Sequence, residues 1–354
     1  MKIKKLSVVT AISAMIATAI VGVASAQASM NMPAGQTMYP LRINNCGTNV
    51  VFKKAPSRVI LMNGASVGEV EDFVALGLQN KILGNSQSYG VSDDPTMVAK
   101  IAAIPTDGLK VNQTTDDISE EQILSRKPDL VISTWFGGFT KADGFKSRSD
   151  LTKLGINSLI NPTNCDLGNA NPTSAEKSIF VNQGIDSSYG FISMLGQIFN
   201  VQNRAHALIA SIKSQIAQVQ AKVSKETPLK ALVVYPDMGM MNANGLPAVF
   251  VGGIYNSVLK AAGLQNVFTD SPTNFNENVN QEILSSINPD IVVLGSYVAG
   301  EDLNSEIAAL FKAYPQWNAA KNNKYVSITD SIYLGPLNGI AVAKIAKAAY
   351  PSDF

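Results

Sequence analysis

The sequence predicts an α/β protein built as two doubly wound α/β lobes joined by a single long α-helix. Short β-like runs alternate with helical patterns along most of the chain, the rhythm of parallel sheets covered by helices. A proline-free stretch with apolar residues at helical spacing, from about Ser187 to Ser224, separates two such regions. The two regions also echo each other. Glu121-Gln-Ile-Leu-Ser-Arg-Lys-Pro128-Asp129-Leu-Val-Ile132 runs from a helical pattern through a proline break into a strand, and Glu282-Ile-Leu-Ser-Ser-Ile-Asn-Pro289-Asp290-Ile-Val-Val293 repeats it at a constant offset of 161 residues.

The chain opens with Lys2, Lys4 and Lys5, an apolar run from Leu6 to Val23, and the small-residue stretch Ala24-Ser25-Ala26. This pattern reads as a signal peptide over residues 1–26, cleaved near Ala26. A retained membrane anchor is the alternative, and the Ala-x-Ala site argues against it. No cysteine precedes Cys46, so an acylated cysteine has no candidate at the cleavage site. A soluble protein of the periplasm is expected, with a disordered tail from Gln27 to about Met38.

Residues 40–185 form the first expected lobe. Arg58–Met62, Lys81–Gly84, Asp129–Thr134 and Asn157–Ile160 read as strands, and Val67–Leu76, Ser119–Ser125 and Ser147–Leu154 as helices. Residues 186–225 read as one connecting helix, with Ile198, Val201, Ala205, Leu208, Ile209 and Ile212 on its apolar stripe. The second lobe, 228–354, offers strands at Leu229–Tyr235, Asp290–Gly295 and Lys324–Ile328 and a closing helix at Asn338–Ala349. A shorter echo, Gly77-Leu-Gln-Asn80 and Gly263-Leu-Gln-Asn266, follows a helix in each lobe at a different offset. Loops of changed length between two similarly built lobes account for that difference.

Only two cysteines occur, Cys46 and Cys165, and an exported chain is expected to pair them. In the chain-entropy treatment a bridge closing so long a loop stabilises by roughly 4–5 kcal/mol. Without the three leader lysines, 28 basic residues become 25 against 27 acidic ones. A nearly neutral chain with no basic cluster beyond Lys53-Lys54 excludes nucleic acid as a partner. There is no nucleophile elbow, Walker loop or His-Glu-x-x-His pattern, so no enzyme is expected.

From about Cys46 to Pro351 the chain resembles the solute-binding proteins of ABC importers for ferric siderophores, haem and cobalamin. The likeness rests on Asn45-Cys46-Gly47, Val51-Phe52, Ala55-Pro56-Ser57-Arg58-Val59, Ala75-Leu76-Gly77-Leu78 and Lys127-Pro128-Asp129-Leu130-Val131. It continues in Leu154-Gly155-Ile156, Ile198-Phe199-Asn200-Val201 with Arg204-Ala205, Ala262-Gly263-Leu264-Gln265-Asn266-Val267-Phe268, and Asn288-Pro289-Asp290-Ile291. The resemblance implies the class III periplasmic binding protein fold, with a rather rigid helix between lobes, and Asn164-Cys165 is consistent with the proposed disulfide. It also implies that Glu121 and Glu282, one per lobe, dock into arginine pockets of the dimeric membrane permease. A local reading competes at Glu121, where Ser119 and Gln122 fit a capping box.

Ligand contacts are expected from loops beyond the carboxyl ends of the strands. Those loops carry Tyr89, Trp135, Phe136, Phe139, Arg148, Tyr297 and Tyr333, together with Met238, Met240 and Met241. Aromatic faces and thioethers suit a bulky, partly apolar ligand. A ferric siderophore delivered by a monomeric binding protein is the first expectation, with cobalamin, haem or another organic cofactor as alternatives and an adhesin or sensor domain on the same scaffold as a further one. Haem would use Tyr89 or Tyr333 as an axial donor. Anionic ferric complexes are commonly held by arginines, yet the chain has only Arg42, Arg58, Arg126, Arg148 and Arg204, which makes a neutral or weakly charged ligand plausible. No resident cofactor or metal is expected, an iron complex being cargo, and His206, the one histidine, falls on the connecting helix as a surface or packing residue.

Overall fold

A computed structural model describes residues 35–62, 64–109, 119–139, 147–242, 244–268 and 279–354, apart from the side chains of Glu120 and Met240. The signal-peptide segment 1–26 lies outside the described residues. The first strands among the described residues form an antiparallel hairpin, β1 (Leu41–Asn45) and β2 (Thr48–Phe52). Its two-residue turn needs positive φ twice, and Cys46 (50°) and Gly47 (74°) supply it. Cys46 is bonded there to Cys165. The sequence reading assigned no strands here, because the motif had been noticed only as a family likeness.

Two parallel sheets follow. The first contains β3 (Val59–Leu61), β4 (Ile82–Asn85), β5 (Leu130–Ser133) and β6 (Asn157–Ile160) in the order β4-β3-β5-β6. The second contains β7 (Leu229–Tyr235), β9 (Leu264–Asn266), β10 (Ile291–Gly295) and β11 (Tyr325–Ile328), and its parallel pairings give the order β9-β7-β10-β11. The same connectivity therefore occurs twice. One addition distinguishes the second sheet: β8 (Ala248–Phe250) pairs antiparallel with the carboxyl half of β7.

The sequence echo coincides with this structural repeat. Helix α3 (Glu120–Ser125) leads into β5 as α9 (Gln281–Ser286) leads into β10. The Pro-Asp pair that follows each helix has a shared mechanical role. Asp129 accepts from the backbone N–H groups of Ser57 (2.8 Å) and Arg58 (2.9 Å) at the entry to β3, and Asp290 accepts from that of Lys230 (2.9 Å) at the entry to β7. Each carboxylate bolts the third strand of its lobe to the first. The shorter echo also finds a topological counterpart, since Gln79–Lys81 turns into β4 while Leu264–Asn266 is itself β9.

The long helix expected between the lobes is α7 (Gln202–Val223); it starts later than the expected 186, because the preceding residues form a separate helix, α6 (Ile185–Ile198). Asn200 adopts the left-handed conformation (φ 57°), and Val201 N–H reaches back to the Gly196 carbonyl at 2.8 Å, the signature of a helix stop. The last carbonyls of α6 are met from the amino-terminal segment: Thr37 Oγ1 donates to Gln197 and the Tyr39 hydroxyl to Ile198. Thr37, inside the stretch expected to be disordered, is thus hydrogen-bonded to the fold.

Both sheets are buried on both faces, so their strands read as near-continuous apolar runs. Leu130, Ile132, Ala231, Val233, Ile291 and Val293 join α6 and α7 in one core shared by the two lobes. Val131 on one sheet, and Leu232, Val234, Val292 and Leu294 on the other, face two separate outer cores. Replacing Asp129 by alanine is expected to cost about 1–3 kcal/mol, since a charged acceptor is withdrawn from two N–H groups and the Ser57 hydroxyl. Urea unfolding midpoints check this, and Asp290→Ala should cost less, with fewer donors left stranded.

Candidate ligand-binding cleft

The strand ends of the two sheets carry the candidate site, and one buried helix organises the first of them. Helix α1 (Val67–Ala75) starts at the Ser66 cap directly after β3, and Val67 through Val74 are all buried. Its Glu69 is 1 % exposed and gathers the edge of the sheet: Ser66 N and Oγ donate to it at 3.0 and 2.9 Å, Asn161 after β6 at 3.1 Å, and Thr134 after β5 also donates. Burial raises its pKa against the lowering effect of those donors. A helix amphipathic by composition thus places three acids, Glu69, Glu71 and Asp72, inside the protein.

From the end of β4 the segment 89–94 crosses to the second lobe. Gly90 N–H donates to the Tyr297 carbonyl (3.1 Å) and Asp330 N–H to that of Val91 (3.1 Å). The side chain of Asp93 accepts from Thr329 N (2.9 Å) and the Ser331 hydroxyl, and forms a 2.6 Å ion pair with Lys344. Nearby, the backbones of Gly68 and Gly335 meet so closely that a methyl group on Gly68 would overlap the Leu334 carbonyl.

Above this junction aromatic rings accumulate. Tyr89 stacks on Tyr297 across the lobes (centroids 5.5 Å, interplanar 22°), and Tyr255 in α8 (Gly253–Ala261) stacks on Tyr333 and on Phe250. The Tyr333 hydroxyl is bonded to Asn164 of the first lobe (3.1 Å). Burial raises the pKa of Tyr89 and Tyr333, and shifts Tyr297 to about 12. Neither proposed haem donor is thereby prepared as a phenolate. Tyr235 and Tyr255 belong to the same group; Tyr235 is the last residue of the strand predicted over Leu229–Tyr235, and Tyr255 falls in a helix that no predicted element covers.

Trp135 is half-buried on a glycine platform. A methyl group on Gly137 would overlap its ring, and one on Gly168 would lie 2.7 Å from it. Ser133 Oγ, bonded to the Trp135 carbonyl at 2.8 Å, fixes the backbone beneath.

Three expected contacts fall elsewhere. Arg148, 5 % exposed, is engaged by Asn45 O (2.8 Å), Asn45 Oδ1 (2.7 Å), Ser158 Oγ (3.0 Å) and Ser158 O (2.9 Å), which ties the hairpin to β6. Burial lowers its pKa to about 10. Phe136 and Phe139 lie beside that guanidinium, each 5.9 Å from it, and pack on the outer core of the first sheet. All three follow β5 or open α4 (Arg148–Lys153) as predicted, but they face away from the second lobe. Met238 packs on the shared core, Met241 is exposed, and the Met240 side chain lies outside the described residues. Glu121 and Glu282 are both exposed in the first turns of α3 and α9, and Ser119 with Gln122 forms the anticipated capping box. His206 is exposed on α7.

The profile of the periplasmic binding proteins matches residues 65–332, about three quarters of the chain. The chain belongs to that family. It is a family of solute-binding transport components, not of enzymes. The ABC transporter substrate-binding lipoprotein YvrC of Bacillus subtilis is 22% identical over 330 residues, 90% of this chain and 88% of YvrC. The ferric-anguibactin-binding protein FatB of Vibrio anguillarum is 27% identical over 241 residues, 64% of this chain and 66% of FatB. An Fe3+-hydroxamate transport protein of Saccharomonospora viridis superposes with a TM-score of 0.65 at 26% identity, over 88% of this chain and 99% of that one. The haem-binding protein RhuT of Roseiflexus shares the fold, with a TM-score of 0.57 at 18% identity over 84% and 99% of the two chains. Among the described residues no helix is long and apolar enough to cross a membrane.

The junction carries a pH signature. Burial, with Glu69 and Asp93 close by, raises the Asp330 carboxyl to about 8. In the unfolded chain an aspartate ionises near pH 4, so between about 4 and 8 the folded protein holds an extra proton and loses stability as the pH rises. Melting temperatures measured across that window should fall, and Asp330→Asn should flatten the fall.

Proposed function

We propose that this chain is the exported substrate-binding component of an ABC importer and that its cargo is a bulky ferric complex, a ferric siderophore of hydroxamate or related type. The observation that carries the reading is the cleft itself: two lobes of repeated topology, joined through a shared core, turn aromatic strand-end loops toward one another. Large flat rings on pre-set backbones suit a ligand with much apolar surface and little need for induced closure. The iron-complex ligands named for FatB and for the Saccharomonospora protein support the cargo class.

Within this reading Trp135, Tyr89, Tyr297 and Tyr333 line the cleft, and Glu121 and Glu282 face the permease. The two glutamates occupy equivalent places in the structural repeat, at the starts of helices that precede the third strand of each lobe. Helices running antiparallel to their strands present those starts at the carboxyl edge of each sheet, the same edge as the cleft. Two carboxylates at matched places can steer docking and fix its register.

Ligand titration should alter tryptophan emission through Trp135 alone, because Trp317 is fully buried, stacked on Tyr314 at 4.5 Å and bonded through Nε1 to the Leu284 carbonyl. A response that survives Trp135→Phe would place the ligand elsewhere. Delivery is tested separately, with binding and uptake measured side by side on the same variants. Changing Glu121 and Glu282 together to alanine should leave ligand affinity nearly unaltered while uptake collapses, as the loss of about 2–5 kcal/mol of docking energy requires. Uptake at the wild-type rate would remove both residues from the docking role.

A further inference from the structure

The floor of the cleft contains buried carboxyl and hydroxyl oxygens without hydrogen-bond partners, and once its carboxyls are ionised it holds more acceptors than donors. Tyr235, at the end of β7, is 3 % exposed, with its ring so close over Gly295 that a methyl group there would overlap it. Its hydroxyl has no hydrogen-bond partner, and the groups acting on it electrostatically are Asp330, Asp93, Asp237 and Tyr333. Asp330 is 8 % exposed beneath Gly90, and its Oδ2 is likewise unpartnered. Asp237 accepts from the backbone N–H groups of Tyr297 (3.1 Å) and Val298 (3.0 Å) through Oδ2, and its carboxyl adjoins that of Glu301, which interacts by side-chain hydrogen bonding with Asp237 and Ser296. Thr329 Oγ1 is buried without a partner.

No cation of the described residues answers this set. Lys344 is committed to Asp93, and Arg148 is engaged on the outer side of the first sheet. Buried oxygens without donors are costly, each by the desolvation of an unmade hydrogen bond. With the floor carboxyls ionised, an anionic ligand would add acceptors and like charge to a surplus of acceptors. An ammonium brings three N–H donors and a positive charge, and accepts nothing.

We propose that the cleft floor around the Tyr235 hydroxyl and the Asp330 and Asp237 carboxyls is a subsite for a cationic group of the ligand, of the primary-ammonium type. The inference rests on the ferric-complex reading for its cargo and adds a charge class to it: the complex delivered by this protein is neutral or positive overall, with its charged arm directed to the floor.

The subsite predicts a proton linkage. Asp330 and Glu301 each have a pKa raised to about 8, Asp330 mainly through burial, Glu301 through burial and its contact with Asp237. The groups that face Asp330 are Glu69, Glu71 and Ser66 from α1 and its cap, Asp93 with its Lys344 partner, and the hydroxyls of Tyr89, Tyr235, Tyr255, Tyr297 and Tyr333. Below about pH 8 the empty floor holds protons, and an arriving cation favours the carboxylate and expels one. Affinity for a cationic ligand should therefore rise with pH, and affinity for its neutral counterpart should not.

The test compares the iron(III) complex of a linear trihydroxamate bearing a terminal primary ammonium with the same complex N-acetylated at that amine, by calorimetric titration in buffers of different ionisation enthalpy. At about pH 9 the ammonium complex should bind at least about tenfold tighter, the preference should shrink toward about pH 6, and only this complex should release a proton. Asp330→Asn should bring the ratio of affinities to within about twofold, and Tyr235→Phe should lower it partway. Equal affinities in the wild type, or a preference that persists in Asp330→Asn, overturn the subsite while leaving the ferric-complex reading in place. Should neither complex bind, that cargo class falls and pentylammonium chloride decides the subsite: a melting temperature raised in the wild type and not in Asp330→Asn supports it, and no rise in the wild type shows that water alone fills the floor.

Discussion

The Asp93 carboxylate holds the two halves of the cleft in register. Its side chain is 2% exposed, and it takes a backbone N–H and a hydroxyl from the loop after β11 together with the Lys344 ammonium. Lys344 is itself 40% exposed, so the pair is buried on the carboxylate side alone, and withdrawing the lysine would leave Asp93 charged in a poor solvent for charge. The Gly90 and Val91 backbone bonds, the Tyr89–Tyr297 stack and the position of Asp330 all depend on the same crossing segment. Close contact of Gly68 with Leu334 and Gly335 leaves little room for the lobes to rotate about it.

Much of the framework was legible because it is governed by local rules. Strand runs such as Asn157–Ile160 and Leu229–Tyr235 coincide with β6 and β7, since β-branched and apolar runs between helical patterns leave little choice in a parallel sheet. The Pro-Asp echo was visible as a repeat, and the structure explains why it persists: each aspartate fastens two strands. The helix break at Asn200 was missed because Ile198 and Val201 continue an apolar stripe, and periodicity cannot register one residue in a left-handed conformation. Asparagine before a short apolar step was the available signal.

The candidate site was less legible, for a physical reason. Side-chain direction at a strand end depends on which face the neighbouring lobe covers, and that is a tertiary fact. Trp135 and Phe136 are adjacent in sequence, yet the glycine platform holds one while the other turns to the outer core beside Arg148. Arg148 looked like a cleft cation because it follows a strand-end loop, but its guanidinium fits the four oxygens of Asn45 and Ser158. The acids of α1 present the converse case. Glu69, Glu71 and Asp72 suggest a solvated face, yet all three are buried: Glu69 is enclosed by donors of its own lobe, and Glu71 lies against Gly335 of the second.

The cystine has a consequence of another kind. Cys46 and Cys165 lie 119 positions apart, and between them run all four strands of the first sheet. The covalent ring therefore encircles an entire lobe. A protease that cuts a loop once inside this ring, for instance between β3 and β6, releases no fragment: both pieces stay joined through sulfur and the shared core. A molecule nicked there can remain a single particle, whereas the second lobe, with no such ring, is held by its packing alone.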